Sequence, residues 1–183
     1  VGVIPRAMTT SMIDEMVACF AAAAARAQAG GLDGVEIHAS HGYLIGQFLS
    51  PALNRRDDEY GGSLTNRVRF LSRVIEAVRD EVGQLFHVGV RLSSDLIPGG
   101  LDIEEVREIA LLIEPWVDHL NISMGSEFRF HRMQDSMEAP LVYEFESSAV
   151  VTREVSAPTM ISGRIMSLDD ARRDVAYGAA DMV

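Results

Sequence analysis

Cysteine is almost absent from the 183 residues: Cys19 is the only one. A disulfide framework and a cysteine-ligated metal cluster within the chain are therefore excluded, and a reducing, cytoplasmic setting is the simplest expectation. In its alanine-rich run Cys19 is expected to be a small packing residue. Positive charge is scarce too, with 16 Lys and Arg against 27 Asp and Glu, a formal net charge of -11 and a pI near 4.8. Nucleic acid and anionic membrane surfaces both demand a basic patch, so neither is an expected partner. No run reaches the roughly 18 apolar residues of a membrane span, and no basic segment precedes a signal-like core. No G-x-G-x-x-G follows a strand, which removes the main signature of an open dinucleotide-binding sheet. The chain also lacks a first methionine and stops at AADMV, inside what reads as a strand, so a piece of a longer protein is expected.

Aromatic residues make up only 7%, yet 48% of the chain is hydrophobic, a globular composition with enough length to bury a core. Residues 11–28 (SMIDEMVACFAAAAARAQ) favour helix, with Ser11 and Asp14 spaced as a capping box and Gly30 and Gly31 as the stop. A strand is predicted over 34–38 and an apolar helix-like run after Tyr43. A second long helix is predicted over about 63–82, where Val68, Leu71, Ile75, Val78 and Val82 recur at spacings of three and four. A strand at 86–93 and a helix capped by Asp102 with Glu105 and stopped by Pro115 come next, then a strand at 117–123. A polar insert over 124–144 leads to a short helix near 147–155 and a strand at 159–162. Ser167 with Asp170 then starts a last helix, Gly178 ends it, and residues 181–183 begin a fifth strand. Strands separated by helices imply right-handed crossovers and a parallel sheet under helices. With no linker dividing the chain, residues 1–183 are expected to form one incomplete domain. The expected fold is a partial (β/α)8 TIM barrel, about strands 4 to 8, because His38, Arg91, Ser93, Ser123, Gly163 and Arg164 all fall at or just past the carboxyl ends of strands.

The stretch VEIHASHGYLIGQFLSP places His38, His41 and Tyr43 just where an apolar strand ends. Alternation puts Val35 and Ile37 on one face and Glu36 and His38 on the other. Two neutral imidazoles can donate hydrogen bonds to a substrate oxygen, and a phenol can deliver a proton to a developing carbanion. That set suits reduction of a double bond conjugated to a carbonyl. The same residues also fit a loop whose histidines cap backbone groups, or a metal-dependent barrel hydrolase with His38 and His41 as zinc ligands, although H-x-x-H without an adjacent Glu is a weak zinc signal. Arg91, within an apolar strand, requires either an anionic or electron-rich ligand or a buried ion pair with Glu36. Gly163 and Arg164, at a strand end ahead of a helix, form either a phosphate-binding turn or an ordinary connection. The charged, glycine-rich residues 54–67 are assigned a structural role, and His131 alone reads as a loop histidine.

Taken together, VEIHASHGYLIGQFLSPALNRRDDEYGGSLTNRVRF, then VGVRLS, SMGS, SGRI and GAADMV, resemble the old yellow enzyme family of flavin oxidoreductases, including its 2,4-dienoyl-CoA reductase and trimethylamine dehydrogenase branch. The resemblance implies a barrel that binds FMN at the carboxyl ends of its strands and takes hydride from NAD(P)H. It further implies that His38 and His41 hold the substrate oxygen and that Tyr43 protonates the alkene. Arg91 would lie beside the flavin ring, Gly163 and Arg164 near its phosphate, and His131 near the substrate. The expected activity is hydride transfer through FMN to an activated C=C bond of a small molecule such as an enone or dienoyl thioester. Amine dehydrogenation is the alternative within the family, and an inactive structural fragment the alternative outside enzymes. A 4Fe-4S cluster and FAD belong to the longer members' C-terminal part, and homo-oligomerisation is left open. Strands 1 to 3, which supply much of the flavin contact in the family, do not match any part of this chain, so the segment by itself is expected to bind flavin poorly.

Overall fold

The protein is represented by a computed structural model that describes residues 6–133 and 144–183. Helix α1 (Thr10–Ala29) precedes strand β1 (Gly34–Ala39), the short helix α2 (Leu44–Leu49) and the long helix α3 (Leu64–Val82). Strand β2 (His87–Ser94), helix α4 (Ile103–Ile113), strand β3 (His119–Met124) and one turn of helix, α5 (Phe130–Met133), follow. Helix α6 (Phe145–Thr152), strand β4 (Thr159–Ile161) and helix α7 (Leu168–Ala176) complete the order. The expected insert lies partly outside the described residues.

All pairings are parallel and the strands stand in chain order, β1-β2-β3-β4. An open doubly wound sheet would reverse its order at a switch point; the unbroken sequence of neighbours is the barrel arrangement. The expected fifth strand registers as a parallel bridge between Met160 and Met182, with Met182 N donating to Thr159 O and Ile161 N to Met182 O, each hydrogen bond 3.0–3.1 Å long. Among the described residues no helix is long and apolar enough to cross a membrane.

Strand alternation divides the sheet into two unlike faces. Ile37, Val90, Leu120, Leu92, Ile122 and Ile161 point toward the helices and are buried among Val68, Leu71, Ile75, Val106 and Ile109. Each such side chain contributes about 1.5–3 kcal/mol on burial, so this face fixes the register of every strand. The opposite face is polar. Glu36, Gly89 and His119 stand in one row, and His38, Arg91 and Asn121 in the next. Gly89 is required in the first row: a Cβ there would lie 1.8 Å from His119 Cε1, so the histidine ring occupies the space a side chain would need.

Two local expectations are corrected, at the start of α1 and at Cys19. The N-cap of α1 is Thr9, whose hydroxyl accepts from Met12 N at 3.3 Å, while Ser11 sits in the first turn and Asp14 pairs with Arg73 of α3 at 2.7 Å. Helix α4 does stop ahead of Pro115, at Ile113, and a 3-10 turn over Glu114–Trp116 follows, because proline at the first positions of a turn gives up no hydrogen bond. Cys19 is exposed rather than packed. Residues 54–67 do form a scaffold: Asn54 donates to Phe48 O and Tyr60 O, Arg56 pairs with Asp58, and buried Arg67 ties Leu49 O and Gly62 O to Glu105.

Candidate active site

The carboxyl end of β1 runs directly into the candidate residues. His38 is the last inward-facing residue of the strand, and the chain then turns sharply at His41 (φ +62°) and Gly42 (φ +77°). Left-handed backbone at a histidine is uncommon, and two contacts hold it: His41 N donates to Ser93 Oγ at 2.8 Å, and Glu127 N donates to His41 O at 2.9 Å. At Gly42 a side chain would be strained by the positive φ and would crowd the Phe128 ring, since a Cβ would lie 3.2 Å from Phe128 Cε2. Tyr43 occupies the N-cap position of α2 and stays 47% exposed. The turn gathers the three rings, with His38 5.2 Å from His41 and 5.3 Å from Tyr43 between centroids.

The two histidines have different surroundings. His38 is half-buried, and its nearest polar contact is Ser40 Oγ, 3.5 Å from Nε2. His41 is only 8% exposed, with Ser123 Oγ 3.0 Å from Nε2 and Ser40 Oγ 3.3 Å from Nδ1. Burial, the Arg91 charge and neighbouring His38 lower the pKa of His41 to about 4. Burial and Arg91 also depress His38, against a smaller opposing effect of Glu36. Both rings are therefore neutral at pH 7, the form that both donates and accepts.

Arg91, next to His38 in register, does not pair with Glu36. Its Nη2 donates to Ser123 Oγ at 3.3 Å and Ser162 Oγ at 3.2 Å, while its buried Nε has no hydrogen-bond partner. Glu36 instead accepts from His119 Nε2 and Asn121 Nδ2, each at 3.0 Å. Burial pushes the Glu36 carboxyl up, but those hydrogen bonds together with the charges of His119 and Arg91 outweigh it and hold it below the usual carboxylate range. His119 is bonded in turn to His87, whose Nε2 lies 2.8 Å from His119 Nδ1. An orphaned guanidinium N–H carries a desolvation penalty of at least 1–3 kcal/mol. It calls for an electron-rich ligand on the inner face, and a flavin ring fits that requirement.

Ser162 leads into Gly163 (φ +118°) and Arg164 (φ +50°), so Arg91 and this turn belong to one site. The turn leans on Glu144: a Cβ at Gly163 would lie 3.1 Å from Glu144 Cγ. Glu144, at the head of α6, is buried and accepts from Ser123 Oγ at 3.0 Å and Met124 N at 3.1 Å. His131 stands apart, exposed on α5. Among the described residues no group of three His, Cys, Asp or Glu side chains is placed to hold a metal ion. Sequence reasoning missed His119, Asn121 and Glu144 as members of this face. The first two carry a readable signal, since His119, Asn121 and Ser123 alternate along one strand; Glu144 carries none.

A run of parallel strands in chain order, helices on one face, and histidine, tyrosine and arginine at the strand ends together define part of a (β/α)8-barrel oxidoreductase. The profile of the NADH:flavin oxidoreductase / NADH oxidase family matches residues 1–183, and the chain belongs to that family. It is 36% identical over 181 residues to an NADPH dehydrogenase of Clostridium acetobutylicum, covering 98% of this chain and 52% of that protein. Among solved structures it is similar to 2-naphthoyl-CoA reductase, with 34% identity and a TM-score of 0.91 over 97% of this chain and 27% of the other. It is also similar to histamine dehydrogenase from Rhizobium sp. 4-9, with 29% identity and a TM-score of 0.88 over 97% of this chain and 26% of that one. The chain thus spans about half the length, or less, of the relatives it matches. The old yellow enzyme resemblance and the partial-barrel reading agree with these matches.

Proposed function

We propose that the full-length protein carrying this chain is an FMN-dependent oxidoreductase that moves a hydride from NAD(P)H to the C=C bond of an activated small-molecule alkene. The observation that supports it best is the unpartnered Nε–H of Arg91 facing the same site as His38 and Tyr43. FMN, when bound, supplies the two-electron carrier between nicotinamide and alkene. Arg91 and the turn at Gly163 and Arg164 are the residues of this chain that would hold it. His38 donates a hydrogen bond to the substrate's carbonyl oxygen, which draws electron density from the alkene and favours hydride addition at its far carbon. Tyr43 gives its O–H proton to the carbon next to the carbonyl, so hydride and proton together saturate the bond, and its exposure lets solvent replace that proton. His131, exposed on α5 with no described contact to these residues, is kept only as a residue that a long substrate could reach.

Yellow flavin absorbance in the purified full-length protein is the first test, and its absence would sink the reading. In that protein Tyr43→Phe should slow turnover of 2-cyclohexenone by ~10²-fold or more, the typical worth of general acid catalysis. Flavin reduction by NAD(P)H should be unchanged. The likeness to histamine dehydrogenase favours one second reading, oxidation of an amine at the same site. Rapid flavin reduction by an amine with no enone turnover would select it.

A further inference from the structure

Glu36 and Arg91 carry opposite charges on the inner face of neighbouring strands, one row apart, and Coulomb attraction favours an ion pair between them. They are nevertheless drawn in different directions. Arg91 leans toward the carboxyl ends of the strands, where Nη2 donates to Ser123 Oγ and Ser162 Oγ. Glu36 is drawn sideways, to His119 Nε2 and Asn121 Nδ2 of β3, two strands from its own. That reach is prepared by the residues around it. His119 crosses β2 through the space over Gly89, where a Cβ would lie 1.8 Å from its Cε1. His87 Nε2 lies 2.8 Å from His119 Nδ1, and the two rings stack 17° from parallel with centroids 5.0 Å apart. His87 has its own place because its neighbour on β1, Gly34, is bare: a Cβ there would lie 2.7 Å from His87 Cβ. Two gaps and one buttressing ring therefore deliver His119 to a single carboxylate oxygen, Oε2, which Asn121 also reaches.

From this we infer that His119 and Asn121 are positioning residues that hold Glu36 off Arg91, so that the guanidinium keeps its charge and its Nε–H for the ligand of the inner face. A carboxylate that already accepts two N–H bonds gains little by exchanging them, whereas one stripped of a donor turns to the nearest cation. Arg91 is that cation, since its charge already acts on Glu36. Its buried Nε–H, which has no partner, is the group such a carboxylate would claim. That the ligand is FMN rests on the proposed function; the holding of Glu36 by His119 does not.

The test uses the full-length flavoprotein and reads FMN dissociation from the recovery of flavin fluorescence, together with the midpoint potential of the bound flavin. His119→Leu frees Glu36 to pair with Arg91, and the FMN dissociation constant should rise ~10-fold or more, the worth of one charge-assisted hydrogen bond. The midpoint potential should fall with it, because the positive charge that favours added electrons is offset. The double variant His119→Leu/Glu36→Gln removes the carboxylate charge and should return both quantities to near their wild-type values. A loss that Glu36→Gln does not relieve would mean that His119 only fills the space over Gly89, and it overturns the inference. His119→Gln keeps an N–H donor and should bind FMN better than His119→Leu; equal losses count against the proposal. If His119→Leu does not fold, Asn121→Leu strips the other donor and takes its place, alone and with Glu36→Gln. Independently of flavin, 15N NMR of the histidine rings should give a protonated-type signal at His119 Nε2, and an unprotonated one overturns the holding of Glu36. A full-length protein with that signal and no flavin would remove the proposed function and leave Glu36 held as described.

Discussion

Burial, the charge of Arg91 and the neighbouring His38 all oppose protonation of His41, and folding stability therefore depends on pH. The pKa of His41 is about 4 in the folded protein against 6.5 for an unperturbed histidine, so between those values the unfolded chain binds a proton that the folded one refuses. Stability is therefore unaffected above pH 6.5, falls as the pH drops toward 4 and levels off below. A displacement of this size amounts to roughly 3 kcal/mol at most, and depressed His38 adds in the same direction. Chemical denaturation of the full-length protein at pH 7 and pH 5 should show the loss, and His41→Gln should flatten the dependence. Equal pH dependence in the two proteins would show that His41 is not the group responsible. At this scale the sequence was informative where chemistry follows chain order. His38, His41 and Tyr43 lie within six residues, and Arg91 stands out because a guanidinium in an apolar strand needs a partner. Its partner was not legible: Glu36 was a candidate by strand adjacency, but His119 and Asn121, two strands away, claim that carboxylate first. Glu144 reaches the site only after a long insert, and no local pattern announces it.

Among elements, the helices were read from periodicity and caps, and most of their ends follow those signals. Asp102 accepts from Glu105 N at 2.9 Å, Ser167 from Asp170 N at 3.1 Å, and Gly83 ends α3 with φ +75°. The start of α1 was harder, because Thr9 and Ser11 are both hydroxyls able to cap and only the backbone path decides between them. Strand β2 shows a different kind of limit. Its valines and leucine reveal the helix-facing side, but nothing in GVRLS says that Gly89 is empty so that a histidine from β3 can lie across it. Gly89→Ala tests that packing. The new methyl and the His119 ring cannot share the space, so the ring must leave Glu36 and His87, breaking hydrogen bonds in a partly buried layer. The expected cost is roughly 2–4 kcal/mol, from overpacking together with a carboxylate left short of a donor. Thermal unfolding of the full-length variant measures it. A change within about 0.5 kcal/mol would mean that the row of Glu36, Gly89 and His119 tolerates rearrangement.

For the whole molecule, the division of the sheet into an apolar and a polar face decides what the chain can do by itself. The helix-facing side is a finished core, with Leu92, Leu120, Ile109 and Phe70 fully buried. The inner side carries Glu36, His38, Arg91 and Asn121, which a closed barrel would enclose with further strands and a ligand. Among the described residues β1 pairs only with β2, so its far edge presents free backbone N–H and C=O groups, a ready template for another chain. The alternating strands and helices made this architecture legible, since right-handed crossovers leave few arrangements for such a sequence. What periodicity could not provide is closure, which depends on residues outside the four strands. The 183-residue chain expressed alone is therefore expected to associate in light-scattering measurements and to purify without stoichiometric FMN, whereas the full-length protein should carry it. A monomeric, yellow 183-residue chain would contradict this and show that the inner face of these strands holds the cofactor unaided.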